Sequence, residues 1–165
     1  VPPGQSGAMA EVAKNTSIPV ATGERLTSKY EFYDILKNNS ASIIQMNLGR
    51  VGGILEAKKI ASLAEVFYTQ IAPHLYNGPV GAAASIQLAT ATPNFLIMES
   101  IKTLDGFHED VLMEPLNWSN GNIIPSDKPG LGVELNLEVV RSNSPYKGKK
   151  LHLSMDSKPY YVEDD

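Results

Sequence analysis

The stretch Tyr68–Pro79, Y-T-Q-I-A-P-H-L-Y-N-G-P, decides how the rest of the chain is read. Tyr68, Thr69 and Ile71 are aromatic or β-branched, the side chains that suit a pleated strand, and they lead straight into Ala72, Pro73 and His74. Asn77-Gly78-Pro79 then turns the chain, and a small-residue helical pattern begins at Gly81. A strand that stops at a polar side chain and turns into a helix is how α/β folds deliver a reactive group to the carboxyl end of a sheet. A lone histidine is more often a polar tip on the surface. The weight here comes from three other strands that end in the same manner.

Working outward, the same unit recurs. Residues 5–16 suit a helix with Met9, Val12 and Ala13 at helical spacing, and Ile18–Thr22 reads as a short buried strand stopped by Gly23-Glu24-Arg25. A helix follows from Ser28, its N-cap, to Leu36, with Phe32, Tyr33, Ile35 and Leu36 among its apolar positions. Ser42–Met46 is the next strand, stopped by Asn47. The glycines of Gly49-Arg50-Val51-Gly52-Gly53 read as turn residues, because their spacing fits neither nucleotide fingerprint. Ile54–Val66 forms an amphipathic helix with Ile54, Ala57, Ala61 and Ala64 on or near one face. After Tyr68–Ala72 comes a helix over Gly81–Ala91, then a fourth strand, Phe95–Met98, ending at Glu99. Alternation of strand and helix predicts a parallel sheet.

Beyond Ser100 the pattern breaks up. Trp118, Asn120-Gly121, Pro125, Pro129-Gly130 and Gly132 mark an irregular segment with short strands, Trp118 anchoring it to the rest. Leu151–Met155 alternates like an edge strand, and Glu163-Asp164-Asp165 reads as a solvated end. His108 and His152 fall in this region, where surface histidine is the default reading.

Composition narrows the function. With 165 residues, 42% of them hydrophobic, there is enough chain for a core. A net charge of −4 and the lack of any basic run argue against a nucleic-acid partner. Zero cysteines exclude disulfides, thiol nucleophiles and thiolate metal sites. Apolar runs fall short of the roughly 20 residues that span a bilayer. The expectation is a cytoplasmic protein without a membrane partner.

The strand ends place Glu24, Asn47, His74 and Glu99 on one rim. Two carboxylates, an amide and an imidazole suit metal-assisted acid–base chemistry: carboxylates ligate hard cations and imidazole moves protons near neutral pH. Arg25 and Arg50 lie beside this rim as candidate contacts for a substrate carboxylate, with a solvated loop charge the equal alternative. Tyr76 is a candidate contact for a hydroxyl, with packing at the core or rim the stronger alternative.

At these residues the sequence resembles the enolase superfamily, within it the mandelate racemase/muconate lactonising group, and there the galactonate dehydratase-like sugar-acid dehydratases. The resemblance is carried by P-V-A-T-G-E-R (Pro19–Arg25), I-I-Q-M-N-L-G-R-V-G-G-I (Ile43–Ile54), A-P-H-L-Y-N-G-P (Ala72–Pro79) and P-N-F-L-I-M-E-S (Pro93–Ser100), with Pro129–Val133 similar to the family's carboxy-terminal signature. It implies an α/β fold, the carboxy-terminal half of a (β/α)8-type barrel comprising strands five to eight. Residues 1–107 would be the partial barrel domain. Residues 108–165 would be the irregular segment that in the family packs back toward a capping domain.

The resemblance also implies roles. Glu24 matches the third Mg²⁺ ligand, His74 the catalytic histidine, and Glu99 the carboxylate beside the substrate's carboxylate or enolate. Asn47 stands where the family usually has an aspartate paired with that histidine. An aspartate favours the imidazolium, whereas asparagine can still accept the ring N–H through its carbonyl but adds no charge. The other two metal ligands, a second acid/base group and the capping domain have no counterpart in this chain, whose opening V-P-P-G resembles the loop just after the fourth-strand ligand.

The implied parent enzyme uses Mg²⁺ to dehydrate a small-molecule sugar acid, removing the proton α to the carboxylate and eliminating the β-hydroxyl, with His74 as acid or base. These residues alone are expected to be inactive. Two rivals stand beside this: a racemase or epimerase of the same superfamily, and a non-catalytic half-barrel that self-associates as a homo-oligomer to cover its open sheet edges.

Overall fold

The computed structural model describes residues 1–101 and 103–143. Helix α1 (Ser6–Lys14) is followed by strand β1 (Ala21–Thr22) and helix α2 (Lys29–Lys37). Ser28 caps α2 as its sequence promised: its hydroxyl accepts from Glu31 N, while Glu31 Oε2 accepts from Ser28 N at 2.8 Å. The buried face of α2 is Phe32, Ile35 and Leu36; Tyr33, expected among them, is 46% exposed and meets Phe67 edge-on from outside.

Strand β2 (Ile43–Ile44) leads into the single turn α3 (Leu48–Val51), and α4 (Ile54–Val66) follows after the left-handed Gly52 and Gly53. α4 turns Ala57, Ile60, Ala61 and Ala64 inward, and three alanines on that face let it lie close to the sheet. Ile54 is half exposed instead of joining them. Strand β3 (Gln70–Ile71) then runs to α5 (Pro79–Thr90), which starts two residues earlier than expected because Pro79 takes the first helical position.

β1, β2 and β3 pair in parallel in chain order, with Ala21 opposite Ile43 and Ile44 opposite Ile71. A bridge between Ile71 and Phe95 adds the fourth strand position, where Leu96 N donates to Ile71 O at 2.8 Å. Every crossover carries a helix, so the described fold is the predicted series of βα units, a half-barrel. The strands are shorter than expected. Tyr68 is not in one: it takes a left-handed φ of 55° with its ring 99% exposed, and pairing starts at Gln70.

The core lies between sheet and helices, where Ile44, Met46 and Ile71 meet Phe32, Ile35, Leu36 and Ile60, all at most 1% exposed. Burying side chains of this size contributes about 1.5–3 kcal/mol each. A second, smaller cluster joins Leu75 and Ala82 to Leu104, with Met98 and Leu116 against it, and so seats the following segment on α5. That segment holds α6 (Phe107–Asp110), a hairpin of β4 (Trp118–Ser119) and β5 (Asn122–Ile123), and α7 (Leu137–Ser142). Trp118 is half-buried in a cleft with Ile86 and Phe95, which fits an anchoring role. His152, the Leu151–Met155 alternation and the acidic end lie outside the described residues.

Candidate active site

Each strand hands over its last polar residue differently. After β1 the chain passes through Gly23, whose φ is 140°, and an added Cβ there would sit 2.8 Å from the Phe32 ring and 2.9 Å from the Gln45 carbonyl carbon. Only glycine fits so close a passage. It brings Glu24 out beyond the strand with a half-exposed side chain. After β2, Asn47 is the N-cap of α3 in extended conformation and is 2% exposed. After β3, the chain continues alongside β2 through His74 N, which donates to Met46 O at 3.1 Å, leaving the His74 side chain 12% exposed.

Glu24 and Asn47 flank the His74 ring, and Glu99 reaches the same loop through the backbone of Leu75. Glu24 Oε1 lies 3.7 Å from His74 Nε2 on the open side of the ring. Asn47 Nδ2 lies 2.8 Å from His74 Nδ1 on the inner side. Glu99 Oε2 accepts from the buried Leu75 N at 3.0 Å, which ties the fourth strand end to the loop after β3. Tyr76 stacks loosely on His74, ring centroids 6.5 Å apart and planes 23° from parallel, and is otherwise exposed. Arg25 and Arg50 are exposed on the surface, and among the described residues no hydrogen bond or ion pair joins either to His74. His108 is exposed too, beside Gly78.

The amide of Asn47 meets the imidazole with its nitrogen and not its carbonyl. The same Nδ2 faces His74 O at 3.3 Å and Asn77 Oδ1 at 3.4 Å. A backbone carbonyl can only accept, so the group turned toward it must donate.

Asn77 is the residue the sequence reading missed as a site residue. Its Nδ2 donates back to Asn47 Oδ1 at 3.4 Å, so the two carboxamides pair. Two glycines make room: a Cβ on Gly49 would lie 3.2 Å from Asn47 Oδ1, and one on Gly81 only 2.6 Å from Asn77 Cβ. Asn77-Gly78-Pro79 looked like a turn, which it also is.

The donor set can be weighed against the Mg²⁺ that the resemblance implies. Glu24 has the right chemistry and an open position, but among the described residues no three His, Cys, Asp or Glu side chains gather as a metal cluster. Waters can fill part of the octahedral shell of Mg²⁺, but a single half-exposed carboxylate with no second protein or substrate oxygen beside it holds the ion weakly. These residues by themselves do not fit it.

Known proteins resemble this chain over most of its length. The family described as enolase C-terminal domain-like matches residues 1–139. D-xylonate dehydratase of Haloferax volcanii is 36% identical over 143 residues, covering 87% of this chain and 35% of that protein. D-galactonate dehydratase of Pectobacterium atrosepticum is 34% identical over 142 residues, covering 81% of this chain and 36% of that one. A solved structure from Burkholderia SAR-1, described as of the mandelate racemase/muconate lactonizing type, superposes with a TM-score of 0.86 at 65% identity, over 99% of this chain and 41% of its own. The chain thus spans little more than a third of the length of the curated relatives it matches. Among the described residues, no helix is long and apolar enough to cross a membrane.

Proposed function

This chain belongs to the enolase C-terminal domain-like family, matching the carboxy-terminal part of its relatives, and on that premise we propose that it carries the histidine half of a sugar-acid dehydratase active site. The observation that supports this most is the rim itself: His74 held between Glu24 and Asn47, with Tyr76 on its face and Glu99 fixing the loop behind it. The names of the two dehydratase relatives support the reaction class.

In the reaction, a base outside these residues takes the proton α to the substrate carboxylate, giving an enediolate. Its electron pair moves to form the C=C bond, the β C–O bond breaks, and the departing oxygen takes a proton at His74 Nε2 and leaves as water. The enol product then ketonises to a 2-keto-3-deoxy acid. His74 is the catalytic residue of this half. Glu99 stands near the substrate carboxylate or enolate, and Tyr76 and Arg25 contact its hydroxyls and carboxylate. A Mg²⁺ ion would take Glu24 as one ligand, with the remaining ligands coming from residues beyond this chain. The 165 residues alone are inactive on this reading, and the enzyme is a cytoplasmic homo-oligomer.

The test is a sugar-acid panel assayed for 2-keto-3-deoxy products, using the full open reading frame that contains this chain and, in parallel, the 165 residues alone. Dehydration by the longer protein, lost in His74→Gln, is expected. Solvent deuterium entering the α-carbon with no loss of water would replace the dehydratase reading by the racemase one.

A further inference from the structure

We infer that Asn77, acting through Asn47, fixes the tautomer of His74, so that in the neutral ring the proton sits on Nε2, the nitrogen facing the rim. Asn47 Nδ2 is 2.8 Å from His74 Nδ1, and an amide nitrogen in that position can only donate. Nδ1 must therefore offer its lone pair, and the ring's single proton goes to Nε2. The second amide hydrogen is directed to His74 O at 3.3 Å and Asn77 Oδ1 at 3.4 Å.

Turning the Asn47 amide over would set its oxygen against the His74 carbonyl. It would also break the return bond from Asn77 Nδ2 to Asn47 Oδ1. Asn47 is 2% exposed, so water cannot readily replace either partner. Asn77 is thus a positioning residue: it never touches the ring, but it holds the amide that does.

An aspartate at position 47 would do the reverse. A carboxylate accepts from Nδ1–H and leaves Nε2 bare, which is the form a base needs. With asparagine, the neutral His74 meets a substrate oxygen at the rim as a hydrogen-bond donor. In this tautomer the neutral ring has no lone pair at the rim, which excludes the base role for it and leaves hydrogen-bond donation to a substrate oxygen. The inference rests on that reading for this consequence only; the tautomer stands on the geometry alone.

The test is a long-range proton–nitrogen correlation spectrum of the 165-residue chain labelled with ¹⁵N-histidine, taken at alkaline pH where imidazoles are neutral, with His74 assigned through His74→Gln. His74 is expected to show a fixed Nε2–H pattern, distinct from the tautomer averaging of exposed His108. Asn47→Asp should move His74 to the Nδ1–H pattern, and Asn77→Ala should move it toward the averaged pattern of His108. A wild-type His74 that carries its proton on Nδ1, or averages as His108 does, overturns the inference whether or not the Asn47 and Asn77 variants fold. A fixed Nε2–H that survives Asn77→Ala removes the role of Asn77. Because nothing in the spectrum depends on turnover, a failed dehydratase assay and a failed tautomer assignment remain separate results.

Discussion

Leu75 N donates to Glu99 Oε2 at 3.0 Å, so the carboxylate at the fourth strand end is also a bracket for the loop that carries His74 and Tyr76. Leu75 is fully buried, and its N–H has little access to water if that acceptor goes. Glu99→Ala is expected to cost roughly 1–3 kcal/mol, the usual penalty for stranding a buried donor. Glu99→Gln keeps an acceptor and should cost less. Urea denaturation of the two variants checks the order; equal losses would mean that the bracket carries no stability.

Two glycines in the first turns of their helices should answer the same substitution with opposite signs. Gly7 in α1 has nothing within 4 Å of an added Cβ, so Gly7→Ala should stabilise by up to about 1 kcal/mol through backbone entropy. At Gly81 in α5 the added Cβ would lie 2.6 Å from Asn77 Cβ. Gly81→Ala should therefore destabilise, by about 1–3 kcal/mol, as overpacked sites do. Thermal melts of both variants decide it.

The α2 capping box gives a pH dependence with a definite sign. Burial pushes the Glu31 carboxyl up, but hydrogen bonds from the Ser28 side chain and from the Thr27 and Ser28 backbone outweigh it and hold the group below its ordinary value. A carboxyl lowered in the folded state stabilises above its unfolded value, and that stability is lost as pH falls through the folded one. Glu31→Gln should flatten this part of the acid limb of a stability–pH curve. Ser28→Ala should lower stability at neutral pH by about 1 kcal/mol.

Titration calorimetry of the 165-residue chain with Mg²⁺ should show no tight, saturable binding, because Glu24 stands without a described carboxylate cluster. Tight binding lost in Glu24→Gln would show that a second copy or another segment completes the site.

The strand-end pattern was legible because each of Glu24, Asn47, His74 and Glu99 lies within a few residues of the end of a short strand-like run, and a parallel sheet sends all such ends to one side. The helices read well for a related reason: Ser28 with Glu31, and Ala57, Ala61 and Ala64, act over three or four positions. Asn77 was hidden because its partner, Asn47, lies 30 residues away and local chemistry already explained the triplet as a turn. The direction of the Asn47 amide was equally out of reach, since the His74 carbonyl and the Asn77 carboxamide, both distant in sequence, set it. Tyr68 misled by composition: Thr69 N bonds back to Ala64 O, which folds the end of α4 over and leaves the tyrosine at a φ that its side chain does not favour.

Every parallel pairing here joins consecutive strands, and the main core closes over them, so the described sheet is built from adjacent βα units. Such a segment can nucleate as a cooperative unit before any distant part of a longer polypeptide has arrived. The amide hydrogens of β2 and β3 would then exchange with solvent together, on one common opening event, and His74 would ride on the slowest-exchanging part of the protein.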